Sequence, residues 1–178
     1  NYLSATNACK LCTPLGACLA FNGIEGAVPY LHGSQGCATY MRRYIISHYN
    51  EPIDIASSSL SEKHAVYGGG PNLKLGLTNV AAKYRPQLIG IATTCLTETI
   101  GDDVRMYLHQ YAEDTKGSVG LPTLVHVATP SYAGTHMEGF HAAIRAVVAQ
   151  LSEGGPLTGA INLLPGFVSS ADYRLLRQ

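Results

Sequence analysis

The sequence predicts an α/β fold of the Rossmann-like, doubly wound type, in which a mostly parallel sheet carries helices on both faces. Short apolar runs of strand length alternate with longer stretches of helical periodicity. The predicted strands are almost continuously apolar, which is typical of parallel strands covered on both faces. The 178 residues are enough to bury a core without disulfides. We therefore expect residues 1–178 to form a single domain of this class.

The predicted elements follow one another in alternating order. The strands end near Gly, Pro, Ser or Thr and are Ala27 to Leu31, Ile53 to Ala56, Leu88 to Ala92, Leu124 to Ala128 and Ala160 to Leu164. The long helices are Gly36 to Tyr49, Asn72 to Tyr84, Asp102 to Glu113 and Met137 to Leu151. Another helix is expected to begin at Pro14, because proline is favoured in a first helical turn. The glycines at 68–70 lack the Gly-Lys-Ser/Thr ending of a phosphate-binding loop and predict a turn.

Charge and composition narrow the classes of function. The 12 basic and 12 acidic residues give a formal net charge of +0, and only 13% of the residues are charged. The sequence shows no basic stripe for nucleic acid and no run near the roughly 20 apolar residues that a membrane span needs. A weakly charged chain with 46% hydrophobic residues predicts a surface that partner protein covers. No signal peptide is recognisable, so we expect a cytoplasmic protein with reduced thiols.

Three of the five cysteines lie where a doubly wound sheet gathers its ligands. Cys37 and Cys95 follow predicted strands, and Ser131 follows another. Cys12 precedes a predicted helix, whose N-terminus stabilises a thiolate. Because the carboxyl ends of parallel strands share one edge, residues far apart in the sequence converge there. A set of ligands that contains only sulfur indicates zinc or an iron-sulfur cluster.

Each of these residues also has an ordinary structural interpretation. A single cysteine is more often a small buried side chain than a ligand, and Ser131 after a strand also suits a turn or a helix cap. Cys9 and Cys12 form a C-x-x-C pair that fits a redox dithiol or half a zinc site, although the sequence contains no second pair. Cys18 is expected to be buried in the first helix. His32 is either a structural histidine or a hydrogen-bond donor near the cysteines.

Six separated motifs occur in order between Ala8 and Phe167. They are CTPLGA at 12–17, HGSQGC at 32–37, SHYNEP at 47–52, YGG at 67–69, TTCLTETIGDD at 93–103 and TPSYAGTH at 129–136. Together they resemble the β-type chains of nitrogenase component 1. The resemblance implies that residues 1–178 are an N-terminal fragment of a longer chain and the first of its several Rossmann-like domains.

The resemblance also implies a cofactor and its ligands. In such chains, three cysteines and a nearby serine border an iron-sulfur cluster that is shared with an α-type partner. This maps metal ligation onto Cys12, Cys37 and Cys95, with Ser131 as an auxiliary oxygen ligand. A nucleotide-dependent iron protein is implied as the reductase that delivers electrons.

The same resemblance implies a role for the two glycines near Cys37. Gly33 and Gly36 would allow the backbone to lie against the cluster, where N–H groups could tune its reduction potential. A side chain at either position would then collide with the cluster.

Two roles within the family remain as interpretations. Residues 7–14, 42–48 and 54–59 are more similar to the scaffold β-like chain, on which the iron-molybdenum cofactor is assembled. The complete set of cysteines favours instead the β subunit of the catalytic molybdenum-iron protein, in electron transfer to the cofactor. In neither role is a complete active site expected in this chain alone. Outside the family, the alternatives are a metal-free Rossmann-like domain that binds a nucleotide or a sugar and a zinc-stabilised interaction domain.

Overall fold

A computed structural model of the chain describes residues 10–156, together with residues 159 and 175. Its sheet contains the strands β1 (Ala27–His32), β2 (Ala56–Ser57), β3 (Leu88–Thr93) and β4 (Thr123–Val127). The order across the sheet is β2, β1, β3, β4, and every neighbouring pair is parallel. The predicted α/β, Rossmann-like fold is therefore confirmed.

Helices connect these strands and cover the sheet. Within the described residues they are α1 (Thr13–Asn22), α2 (Gln35–Tyr49), α3 (Glu62–Tyr67), α4 (Gly70–Tyr84), α5 (Cys95–Ile100), α6 (Val104–Asp114) and α7 (His136–Leu151). A 3-10 helix spans Ser131–Ala133. None of the described helices is long and apolar enough to cross a membrane.

Two apolar cores lie on opposite faces of the sheet. The first joins α1, α2 and α7 and includes the fully buried Phe21 and Leu31. The second joins α4 and α6 and includes the fully buried Tyr30, Leu77 and Ile91. The neighbours Tyr30 and Leu31 enter different cores because successive side chains of a strand point to opposite faces. Burial on both faces explains why the strands are continuous apolar runs.

Most long elements lie where the sequence predicts them, with one correction. The prediction of a strand at Ile53 to Ala56 is wrong in extent, because only Ala56 and Ser57 pair with β1. Ile53 and Ile55 are buried in the first core without belonging to the sheet, so their apolar character reflects packing rather than strand pairing. The strand predicted at Ala160 to Leu164 lies outside the described residues.

The connections place a switch point between β1 and β3. From β1 the chain forms β2 on one side, and it then crosses to the other side of β1 to form β3. In an open parallel sheet, such a reversal leaves a crevice outside the carboxyl ends of the strands. β1 and β3 end together, with His32 opposite Thr93. The segments that follow them carry Cys37 and Cys95, which therefore flank the switch point.

Candidate functional site

All three predicted cysteine ligands lie at the N-terminus of a helix. Cys12 directly precedes α1, Cys37 is in the first turn of α2, and Cys95 is the first residue of α5. Pro14 lies in the first turn of α1, as the sequence predicts. The N–H groups at a helix N-terminus carry partial positive charge, which favours a thiolate. Each of the three cysteines thus lies beside the N–H groups that begin a helix.

The three thiols are close enough to influence one another. Partial burial raises the pKa of Cys37, and the charges of Cys12 and Cys95 raise it further. Cys12 is exposed, whereas Cys37 and Cys95 are half-buried. Neighbouring thiolates repel one another, so their simultaneous ionisation requires a positive charge between or beside them. The donor set therefore fits a cationic, sulfur-binding metal centre.

Ser131 begins the 3-10 helix that follows β4, and it lies beside Cys95. Its N–H donates a hydrogen bond to Cys95 Sγ, with the two atoms 3.2 Å apart. Hydrogen bonds to a ligating sulfur are among the means by which a protein tunes an iron-sulfur centre. The contact uses the backbone amide of Ser131, whereas the oxygen ligation that the resemblance implies would use its hydroxyl.

The position of Cys12 depends on the contact between α1 and α7. The carbonyl of Leu11 accepts a hydrogen bond of 2.9 Å from the N–H of His136, at the start of α7. Where the two helices meet, a Cβ on Gly16 or Gly139 would lie 1.7 or 1.8 Å from a carbonyl oxygen of the other helix. Backbone therefore packs on backbone, and this close contact holds the segment that carries Cys12.

Gly33 and Gly36 differ in what surrounds them. A Cβ on Gly33 would lie 1.9 Å from Thr94 Oγ1, and the Gly33 N–H already donates to Ser58 Oγ at 2.9 Å. Packing within the chain thus accounts for Gly33, and its N–H is not free to contact a cluster. A Cβ on Gly36 would meet only Ser34 Oγ, at 3.6 Å. Gly36 therefore borders space that no other described residue fills.

A buried polar network centred on His32 lies behind the cysteines. The ring is fully buried, with Nδ1 3.0 Å from Ser58 Oγ and Nε2 3.3 Å from Asp102 Oδ2. Burial lowers the pKa of His32, and the attraction of Asp102 offsets this only in part. A neutral ring with its proton on Nε2 directs that N–H toward the Asp102 carboxylate and leaves Nδ1 to accept from the Ser58 hydroxyl, although the Nε2 contact with Asp102 lacks the alignment of a hydrogen bond. Of the two interpretations of His32, the structural one therefore describes its contacts.

Ser58, His32 and Asp102 are the residue types of a hydrolase triad, and sequence order does not reveal that they meet. Ser58 is only 4% exposed and His32 is 0% exposed. A nucleophile has to reach a substrate carbonyl, and neither the hydroxyl nor the ring is accessible to one. The three residues therefore form a structural network rather than an acyl-transfer site.

The remaining cysteine predictions have separate outcomes. Cys18 is fully buried, as predicted, and burial raises its pKa. Cys9, the other half of the C-x-x-C pair, lies outside the described residues. Among the residues that are described, no three His, Cys, Asp or Glu side chains are grouped as a single metal ion would require. A polynuclear cluster differs in this respect, because its ligands are spread over several metal atoms.

The chain is similar to known proteins along most of its length. The model of the family described as nitrogenase component 1 type oxidoreductase matches residues 12–178. The nitrogenase molybdenum-iron protein beta chain of Clostridium pasteurianum is 41% identical over 173 residues, which are 97% of this chain and 38% of that protein. The corresponding chain of Crocosphaera subtropica is 40% identical over 164 residues, covering 90% of this chain and 32% of that one.

Solved structures agree with the fold. The structure of nitrogenase Cp1 at pH 6.5 matches with a TM-score of 0.85 and 40% identity over 94% of this chain and 37% of the other. That of nitrogenase Cp1 at pH 5 matches with a TM-score of 0.61 and 22% identity over 78% of this chain and 29% of the other, which supports the fold alone. The chain thus spans between 32% and 38% of the length of the curated relatives described above.

Proposed function

Because this chain belongs to the nitrogenase component 1 type oxidoreductase family, we propose that it is the β-type half of a component 1-like complex. Cys12, Cys37 and Cys95 would supply thiolates to an iron-sulfur cluster that is shared with an α-type partner. The observation that carries the proposal is the placement of the three cysteines at helix N-termini, near enough to one another that the charges of Cys12 and Cys95 act on Cys37.

The surroundings of the thiols support a shared cluster. When bound, such a cluster supplies one-electron redox chemistry. The chain would hold it through three sulfurs at helix N-termini, with the Ser131 N–H donating to Cys95 Sγ. Gly36 leaves space beside Cys37. Because Cys12 is exposed and the other two sulfurs are half-buried, this chain covers only part of the site, and a partner has to exclude water from the rest.

The part of α2 that follows Cys37 is suited to contact that partner. Tyr40 is 63% exposed and Tyr44 is 53% exposed, and their rings stack with centroids 6.4 Å apart. Exposed aromatic side chains are enriched at protein interfaces. Since α2 begins next to Cys37, a partner that covers the cluster would also cover this aromatic surface.

Substitution of Cys37 by alanine in the full-length β-type chain, co-expressed anaerobically with its α-type partner, tests the proposal. We expect the Cys37→Ala complex to lose or remodel the shared cluster, as measured by iron and sulfide content and by electron paramagnetic resonance. Cys18→Ala is the matched control, because that thiol is buried in the first core. An unchanged iron and sulfide content in Cys37→Ala would contradict the proposal.

The same elemental analysis separates the alternatives outside the family. A metal-free domain would be colourless, contain no iron and bind a nucleotide or sugar saturably. A zinc-stabilised domain would contain zinc and lose stability on treatment with a chelator.

Two roles are compatible with a β-type half-site. The resemblance of residues 7–14, 42–48 and 54–59 favours a scaffold for assembly of the iron-molybdenum cofactor. The curated relatives described above, at 40–41% identity, are β chains of molybdenum-iron proteins, which favours a second candidate: electron transfer in the catalytic complex. In either role, a nucleotide-dependent iron protein would be the reductant and the cytoplasm the compartment.

An activity comparison distinguishes these roles. The purified complex is supplied with the iron protein, a nucleoside triphosphate and a reductant. A catalytic β subunit predicts reduction of dinitrogen or acetylene once the cofactor is in place. A scaffold predicts no such reduction, but transfer of cofactor that restores activity to a cofactor-deficient component 1. Absence of both activities would contradict both roles.

A further inference from the structure

We infer that His32 is a positioning residue for the cysteines, because it holds both ends of the helix that begins with Cys95. The inference rests on the function proposed above and concerns residues that none of the predicted ligand roles includes. His32 would bind no metal itself. It would fix the spacing between the segments that carry Cys37 and Cys95.

The backbone of His32 holds the N-terminal end of α5. Its carbonyl oxygen accepts a hydrogen bond of 3.1 Å from the N–H of Thr94 and one of 3.0 Å from Thr97 Oγ1. Both threonines are buried. Thr94 directly precedes Cys95, so these bonds locate the first turn of the helix and the sulfur attached to it.

The side chain of His32 contacts Asp102, just beyond the other end of the same helix. Asp102 follows the last helical residue closely, and its Oδ2 lies 3.3 Å from His32 Nε2. The carboxylate also accepts the N–H of Gly69, with its two oxygens 3.1 and 3.0 Å away. α5 has only six residues, and helices of this length have little stability of their own. Its orientation is therefore set by contacts at its ends, and His32 takes part at both.

The same network holds the turn that leads to Cys37. Ser58 Oγ contacts His32 Nδ1 and accepts the N–H of Gly33 at 2.9 Å. Gly33 in turn packs so tightly on Thr94 that no Cβ fits between them. The two turns that lead to Cys37 and Cys95 are therefore pressed together by one buried network. Loss of the imidazole would leave Asp102 and Ser58 without this partner, whereas the backbone bonds of residue 32 to Thr94 and Thr97 would remain.

The variants His32→Ala and Asp102→Ala, made in the anaerobic complex with the α-type partner, test the inference. Loss of residues that orient metal ligands typically costs about 10–100-fold in metal affinity. We therefore expect iron to be lost to a chelator about ten-fold faster or more than from the wild type, together with an altered electron paramagnetic resonance spectrum.

His64→Ala is the matched control for a general loss of stability. His64 is also buried, at 7% exposure, but its Nδ1 accepts a hydrogen bond from the nearby Ser61 N–H at 2.9 Å. We expect this variant to lower the melting temperature without changing the spectrum or the rate of iron loss. Ser58→Ala removes only one hydroxyl, and it keeps the test decisive where His32→Ala does not accumulate.

Two negative results have different meanings. If His32→Ala, Asp102→Ala and Ser58→Ala match His64→Ala in spectrum and in iron release, while the wild type contains the cluster, the positioning role is wrong and the proposed function stands. If the wild-type complex contains no iron, the proposed function is wrong and this inference with it.

Discussion

Gly33 lies two residues before α2 and Gly36 is the second residue of that helix, and different atoms surround them. A Cβ on Gly33 would overlap Thr94, whereas one on Gly36 would make only an ordinary contact. We expect Gly33→Ala to reduce the free energy of unfolding by about 1–3 kcal/mol, as overpacking does. Gly36→Ala should leave it unchanged or raise it by about 0.5 kcal/mol, because alanine restricts the unfolded chain. Urea denaturation of the two variants measures the difference.

In the assembled complex, we expect Gly36→Ala to lose cluster iron despite its stable fold. The reason is that the space beside Gly36 would be taken by the cofactor or by the partner around it. Iron counting is the measurement, and Gly33→Ala shows how much iron is lost through misfolding alone. A Gly36→Ala complex with its full iron content would show that this space has another purpose.

Individual residues of the site were predictable to different degrees. The positions of Cys37 and Cys95 could be predicted because the apolar runs of β1 and β3 mark the ends of the strands before them. The partners of His32 could not be predicted, since Ser58 and Asp102 are distant in sequence and meet only when the sheet forms. The same limit applies to Gly33. Only glycine fits there because Thr94, which follows β3, occupies the space that a side chain would need.

At the scale of elements, the crossing of α1 and α7 controls where Cys12 lies. Gly139 of α7 faces the backbone of α1, where a Cβ would come within 1.8 Å of Thr13 O. We expect Gly139→Ala to force the helices apart and to cost about 3 kcal/mol of stability. In the complex it should also lower the iron content, because Cys12 moves with α1. Urea denaturation and iron analysis are the measurements.

Gly154→Ala is the control for that experiment. No atom lies within 4 Å of the position that its Cβ would take, so both stability and iron content should match the wild type. If Gly139→Ala is destabilised but retains its full iron content, the placement of Cys12 does not depend on this crossing.

Element length explains which parts of the fold the sequence predicts. The long helices α2, α4, α6 and α7 repeat their apolar spacing over several turns, so their periodicity is visible. The helices α3 and α5 have six residues each and show no such repeat. Their formation depends on capping and on contacts with the strand ends. The sequence therefore does not predict the short helix that begins with Cys95, although the strand before it indicates where the cysteine lies.

At the scale of the whole molecule, one end of the sheet differs chemically from the rest. Apolar side chains fill both faces, whereas the carboxyl ends of the strands gather thiols, threonines and the buried His32 and Asp102 pair. An exposed sulfur at Cys12 and exposed aromatic rings on α2 adjoin that end. The molecule thus presents a half-open polar site beside the aromatic surface of α2, and this arrangement suits a group that is held between two chains.

A cluster held between two chains should couple metal content to assembly. A group that binds only the folded, associated state stabilises that state by mass action. We expect anaerobic removal of iron with a chelator to lower the melting temperature of the complex, because the stabilisation that the bound cluster supplies is lost. Sedimentation velocity should show a larger fraction of dissociated chains.

The Cys37→Ala complex is the control, because its melting temperature should respond little to the chelator. Equal melting and equal association before and after iron removal in the wild type would mean that the two chains are held together without the cluster.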